Sequence, residues 1–367
     1  MSTPEERAWE VVQRAFEERT PGPRRRIPQG YAVLAAAIVA AAAVAAAVTP
    51  SGRAVFRSMR EAVGIEHAAP TLIALPGGGR LLVVGPGGKS TWLVEPNGAK
   101  RDLGALSDAT WSPHGLFIVA TRGNELDAID ATGKVHWSLS RLAPRWPRWT
   151  GSRTDTRIAY VAASGLRVVA GDGTGDHLLD RAGTTAPPAW DPARRFTIAY
   201  TVGRTVVLRR DDGRLVWRRA VAVRPTALTW SSDGSRLGVV SPSRILVLDA
   251  RGQITRTIAP PSARVVDAAF APGSTRLAVL ERLAGRSEVR VVDASRPGPG
   301  KLLLAGPGAF GQLAWAPAGS WLLVTWPAAD QWVFLRGGTA HAVGRIGTQF
   351  GARAAALQVA GRWCCPR

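Results

Sequence analysis

The sequence of 367 residues is poor in cysteine, lysine, histidine, tyrosine and acidic side chains. Its two cysteines are adjacent, Cys364 and Cys365, which excludes both a disulfide scaffold and a four-cysteine zinc site. The five histidines, His67, His114, His136, His177 and His341, are scattered without metal-ligand spacing. None falls in a His-Glu-x-x-His pattern, and no Gly-x-Ser-x-Gly elbow is present. Acidic groups number 27 against 47 basic ones, of which 43 are arginine, giving a formal charge of +20. An apolar content of 46% with only 20% charged residues excludes an intrinsically disordered chain. The 40 glycines and 26 prolines follow no collagen-like period.

Long hydrophobic runs are also scarce, with one exception. Residues 31–48 are eighteen consecutive uncharged positions, eleven of them alanine, preceded by Arg24-Arg25-Arg26 and followed by Thr49-Pro50. As a helix this run is about 27 Å long, close to the thickness of a hydrocarbon core. It is expected to be an uncleaved signal anchor; a cleaved signal peptide and a buried soluble helix are the alternatives. The upstream arginine cluster places the N-terminus in the cytoplasm and the long C-terminal part outside, although Arg53, Arg57 and Arg60 oppose that bias. Upstream, residues 1–30 hold an amphipathic helix opened by Thr3, Pro4 and Glu6 and stopped at Thr20-Pro21-Gly22-Pro23. Trp9, Val12 and Phe16 form a narrow apolar stripe on it, suited to the inner leaflet or to docking a cytoplasmic protein. Residues 49–66 are expected to form a short helical stalk.

From residue 67 to 367 the chain is a repeat array. An apolar or aromatic anchor, a short turn and an apolar run recur at Leu75, Trp111, Trp149, Trp190, Trp230, Phe270 and Trp315, with spacings of 36, 38, 41, 40, 40 and 45. That period, with four short strands per unit, predicts an all-β propeller of seven four-stranded blades, with six or eight as alternatives. The strand candidate at Ala356-Leu357-Gln358-Val359-Ala360 is suited to completing the weakest unit, the one around Leu75. The recurrent anchors Trp111, Trp149, Trp190, Trp230, Phe270 and Trp315 are read as inter-blade packing residues.

The anchors Trp111-Ser-Pro-His-Gly and Trp230-Ser-Ser-Asp-Gly resemble the WD-repeat-like propeller of the Tol-system periplasmic protein. The stretches Leu126 to Trp137 and Val207 to Trp217 resemble the tryptophan-docking repeat of quinoprotein-type propellers. The resemblance spans about residues 70–347 and implies a fold, because the matching positions are turn and packing residues. The whole layout is similar to membrane-anchored propeller proteins of high-GC bacteria.

No motif requires catalysis. Gly85-Pro-Gly-Gly-Lys89-Ser90 lacks the first glycine of a phosphate loop and is followed by a strand pattern, so it reads as a hairpin turn. Asp172-Gly-Thr-Gly-Asp176 lacks the remaining ligands of a calcium loop and reads as a β-turn. Cys364 and Cys365 are a candidate vicinal disulfide that ties the tail; the quinoprotein resemblance would implicate a quinone, but the pair sits at the chain end rather than inside the propeller. No cofactor or metal is expected. The expected function is a non-catalytic external binding module for a protein or an anionic envelope polymer. The alternative is a transmembrane regulator whose N-terminal helix docks a cytoplasmic partner such as a sigma factor; a quinoprotein-like or hydrolytic enzyme is the minor one. Residues 67–367 carry a net +18 spread over many strands, without the basic tail or helix that enters a nucleic-acid groove.

Overall fold

Uninterrupted apolar runs mark the strands that are covered on both faces. Arg236–Val240 and Leu322–Trp326 are buried along nearly their whole length. The outer strands Val135–Ser140 and Leu215–Ala220 instead alternate half-buried and exposed positions, as strands with one solvated side do. The computed structural model describes residues 71–365, apart from Ile73 and Pro261. The stripe Trp9, Val12 and Phe16, the apolar segment 31–48 and the stalk 49–66 lie outside the described residues. Among the described residues no helix is long and apolar enough to cross a membrane.

The strands pair antiparallel into seven four-stranded sheets, the blades of a propeller. Blades 2 to 7 each take four consecutive strands, beginning with the inner strands Ser107–Trp111, Arg145–Gly151, Ala189–Trp190, Ala227–Trp230, Arg264–Phe270 and Leu313–Trp315. Blade 1 is composite. Its three outer strands, Arg80–Val84, Thr91–Val94 and Lys100–Asp102, come from the start of the array, and its inner strand, Gln358–Cys364, comes from the end. In that pairing Leu82 faces Ala360, Val83 faces Val359 and Val84 faces Gln358.

The seven inner strands contact one another in cyclic order, with Gln358–Cys364 between those of blades 7 and 2. The core is therefore seven apolar clusters, one at each blade interface. Between blades 1 and 2, for example, Leu82 and Leu93 pack with Trp111 and Ile118. Between blades 2 and 3, Val119 and Leu126 pack with Trp149, Ile158 and Tyr160.

One anchor differs from expectation. Leu75 is buried, but it precedes the first strand, and the register position held by Trp111 or Trp230 is filled in blade 1 by Trp363. The reason is the origin of the inner strand, which the tail supplies. Trp363 is 3% exposed, lies in the cluster between blades 7 and 1, and donates its indole N–H to the Gly78 carbonyl at 2.7 Å. Gly77 lies against the same ring: a Cβ there would sit 3.3 Å from Trp363 ring carbons and 2.4 Å from the Ala316 Cβ.

Trp363→Ala is expected to lower stability by about 3–5 kcal/mol through the cavity it leaves. Leu302→Ala, at an exposed outer-strand position, is expected to stay within about 0.5 kcal/mol of the parent. Urea denaturation of the two variants checks the contrast.

Candidate functional site

The inner strands have a two-residue alternation that defines an axial shaft. Each anchor and the residue two before it are mostly buried in the blade, as at Trp149 with Pro147 and Phe270 with Ala268. The residues one and three before it mostly keep solvent contact, including Arg148, Ala189, Thr229, Ala269 and Arg362 at the first of these levels. Those side chains lie where the seven inner strands converge. The first level holds two arginines, on the inner strands of blades 1 and 3, with Thr110 of blade 2 between them and alanine or threonine elsewhere.

At the second level Asp108, Asp267 and Gln312 each reach across to the next blade. Asp108 Oδ2 accepts the Trp146 N–H at 3.0 Å, Asp267 Oδ2 the Leu313 N–H at 2.8 Å, and Gln312 Oε1 the Val359 N–H at 2.8 Å. These oxygens satisfy strand N–H groups that no neighbouring strand can reach. Burial raises the Asp267 carboxyl above its ordinary range, and the Leu313 and Ala268 N–H groups oppose that shift. Arg148 and Arg362 are both desolvated by the surrounding strands, which lowers their pKa; Asp108 raises that of Arg148 and Arg362 lowers it further. Both guanidiniums remain charged at physiological pH. Arg148 donates to the Pro147 carbonyl at 2.9 Å. Among the described residues neither arginine has an ion-pair partner.

The anchors join the blades near this shaft. The indole N–H of Trp190 donates to the Arg148 carbonyl at 2.7 Å, that of Trp230 to Ala189 at 3.2 Å and that of Trp315 to Ala269 at 3.0 Å. Each acceptor immediately precedes the anchor of the preceding blade. Phe270 keeps the packing without the bond, and the buried indole nitrogens of Trp111 and Trp149 have no partner among the described residues. Arg80 lies over the Trp111 ring instead, 4.5 Å from its centroid.

A second set of ties runs around the outside. Trp137 Nε1 donates to the Gly171 carbonyl of the next blade at 2.9 Å, and Trp217 Nε1 to Ala250 at 3.2 Å. Gly173 and Gly252 lie under these rings; a Cβ would meet indole carbons at 2.9 and 2.8 Å. At equivalent places in the other repeats His177 Nε2 contacts the Asp211 carbonyl at 2.9 Å, and Arg256 donates to the Asp293, Arg296 and Gly298 carbonyls. The tryptophan-docking resemblance thus corresponds to a geometry in which any long donor can replace the indole.

Two buried ion clusters were not visible in the sequence. Asp176 accepts from Arg141, from Arg167 at 2.6 Å and from the Tyr160 hydroxyl at 2.7 Å, so the glycine-rich Asp172–Asp176 turn joins blades 2 and 3. In blade 6 Glu281 and Glu288 are direct cross-strand neighbours. Glu288 is clamped by Arg286 at 2.6 Å and Arg290 at 2.7 Å, with Glu281 3.6 Å from Arg290. Desolvation and the adjacent Glu288 raise the Glu281 carboxyl, against the pull of Arg290.

Gly85–Ser90 is the hairpin between Arg80–Val84 and Thr91–Val94. Among the described residues no group of His, Cys, Asp and Glu is arranged to hold a metal ion. Cys364 and Cys365 are joined as a vicinal disulfide at the seam between blades 1 and 2, where a Cβ on Gly115 would contact both sulfurs. Arg80 donates to the Gly115 carbonyl at the same seam.

No family model matches this chain, and no curated protein does. Solved structures do. A structure described as KlHsv2 with loop 6CD replaced by a Gly-Ser linker matches with a TM-score of 0.52 at 13% identity, covering 70% of this chain and 89% of its own. Hsv2 of Kluyvelomyces marxianus gives 0.53 at 13% identity, covering 68% and 87%. Hydrazine synthase of Kuenenia stuttgartiensis gives 0.49 at 15% identity, covering 62% and 75%. At such identities the likeness concerns the fold alone. The class it defines is the seven-bladed β-propeller of four-stranded antiparallel blades.

The Asp176 cluster predicts a pH signature. Burial raises this carboxyl, but hydrogen bonds from Arg167, Tyr160 and Arg141 prevail and hold it below the ordinary carboxylate range. Its stabilisation is therefore complete above the unfolded value of about 3.9 and is lost as pH falls through the lower folded value. Asp176→Asn is expected to cost about 1–3 kcal/mol at neutral pH, because it leaves two half-buried arginines without their partner. Urea midpoints measured from neutral to acid pH should show the difference between variant and parent shrinking at the acid end.

Proposed function

We propose that the chain is a membrane-anchored, non-catalytic binding module with a cytoplasmic N-terminus, one span at residues 31–48 and the propeller outside the cytoplasm. Its partner is an anionic envelope polymer or an acidic protein surface. One observation carries the choice of an anionic partner: the carboxylates are used internally, while arginines are left over. Asp130, Asp172, Asp212, Asp249 and Asp293 each accept N–H groups of their own turns. Asp176, Glu281 and Glu288 are spent on the half-buried arginines Arg141, Arg167 and Arg290. Arg204, Arg218 and Arg224, by contrast, are exposed on and beside blade 4 and make no ion pair among the described residues. A surface of that kind attracts polyanions over several ångströms and does so less at high salt.

Full-length protein is expected to bind purified poly(glycerol phosphate), more weakly as salt rises, and to lose much of that binding in an Arg204→Gln/Arg218→Gln/Arg224→Gln variant. Salt-independent or absent binding would count against an electrostatic partner. A reporter fused after Arg367 is expected to be active only outside the cytoplasm; activity confined to the cytoplasm would overturn the orientation.

The Trp9, Val12 and Phe16 stripe favours a second reading, a regulator that docks a cytoplasmic protein such as a sigma factor. In that case full-length protein captures the partner, and the Trp9→Ala/Phe16→Ala variant does not. Capture that is indifferent to the double substitution leaves the helix as an anchor only.

A further inference from the structure

We infer that the axial shaft contains a binding site for a small oxyanion, phosphoryl or carboxylate, held between Arg148 and Arg362. The strand register carries this inference first. Arg362, Thr110 and Arg148 occupy equivalent positions, each one residue before an anchor, on three adjacent inner strands. Gly361 draws the strands of blades 1 and 2 together, since a Cβ there would lie 3.1 Å from Thr110 Oγ1. The two guanidiniums thus approach the shaft from either side of one short threonine.

Their surroundings offer one carboxylate for two guanidiniums: Asp108 acts on Arg148, and no acidic group acts on Arg362. At the same level the other blades present Ala189, Thr229, Ala269 and Ala314, all small and uncharged. Asp108 is the acidic residue whose charge acts on Arg148, and its Oδ2 is committed to the Trp146 N–H at 3.0 Å. Asp267 is likewise committed to Leu313 and Ala268 N–H groups at 2.8 Å each. With Asp108 as the one carboxylate acting on the pair, Arg148 and Arg362 keep an unbalanced positive charge that an entering anion would offset. A guanidinium's planar fork matches phosphate and carboxylate with paired hydrogen bonds, and small neighbours leave room for the ligand. The site is distinct from the outer arginines of blade 4: it selects for size, because only a solute that enters the shaft reaches it.

The test uses full-length protein with inorganic phosphate and succinate as separate probes. Calorimetry is expected to detect binding of at least one of them. Arg148→Gln and Arg362→Gln should each weaken it about tenfold or more, as loss of a charged hydrogen-bonding partner does. Phosphate binding without succinate binding assigns the site to phosphoryl ligands, and the reverse to carboxylates. A second measurement needs no variant. Phenylglyoxal modification of the parent protein, followed by mass spectrometry, should be slowed at Arg362 by the bound probe and unchanged at the exposed Arg218. No binding of either probe, binding unaltered in the folded double variant, or modification of Arg362 indifferent to a saturating probe would each overturn the assignment.

Discussion

A four-stranded antiparallel blade has two apolar faces and no means of covering either by itself; everything else in this molecule depends on meeting that constraint. Seven blades meet it by packing in a closed circle, each covering its neighbours. The circle is completed by Gln358–Cys364, which becomes the inner strand of blade 1 and is inserted between the inner strands of blades 7 and 2. Because the first and last segments of the array share one sheet, unzipping the ends would expose apolar clusters on both sides of blade 1. Loop-closure entropy opposes such a pairing, and the burial of Trp363 together with the strand hydrogen bonds offsets it.

Two concentric sets of side-chain bonds hold the register between blades. The inner set uses indole donors near the shaft, and the outer set uses Trp137, His177, Trp217 and Arg256 against turns of the next blade. In both sets the acceptor is a backbone carbonyl. That choice explains why the donors vary in kind along the chain: a carbonyl is present whatever the side chain, so the repeat needs only a donor long enough to reach. The proposed binding surfaces are the arginine-rich rim and the shaft. The acidic residues meanwhile serve turns and internal clamps, so the arginine excess set by composition is left without acidic partners at the surface.

The anchors and their spacing made the propeller and its blade count legible, because packing against a neighbour requires a large residue at one place in every repeat. The joining of the tail to the first unit was legible because the tail held one more apolar strand pattern and the unit around Leu75 was the weakest. Trp363 was not recognised as the missing anchor: Leu75 stood at the right spacing, and only strand pairing shows that a residue from the other end of the chain takes its place. Its position just after an apolar alternation from Leu357 was the available signal. Arg148 and Arg362 escaped notice because each is an ordinary basic residue in its own repeat, and they become neighbours only when the ring closes. Asp176 was read as part of a turn, which it is, but its partners lie elsewhere, Arg141 just after the strand Val135–Ser140 and Tyr160 in Thr156–Ala162. Local pattern reports what a residue does within a blade, and these sites arise between blades.

The rim, the shaft and the seam at Cys364 and Cys365 all presuppose that the tail closes the circle. Amide hydrogen exchange of the full-length protein tests this most directly. Arg80–Val84 and Gln358–Cys364 are predicted to exchange as slowly as Arg236–Val240, a strand in the middle of the array. Exchange of Gln358–Cys364 at the fast rate of a fraying terminus, with Arg236–Val240 still protected, would contradict closure by the tail.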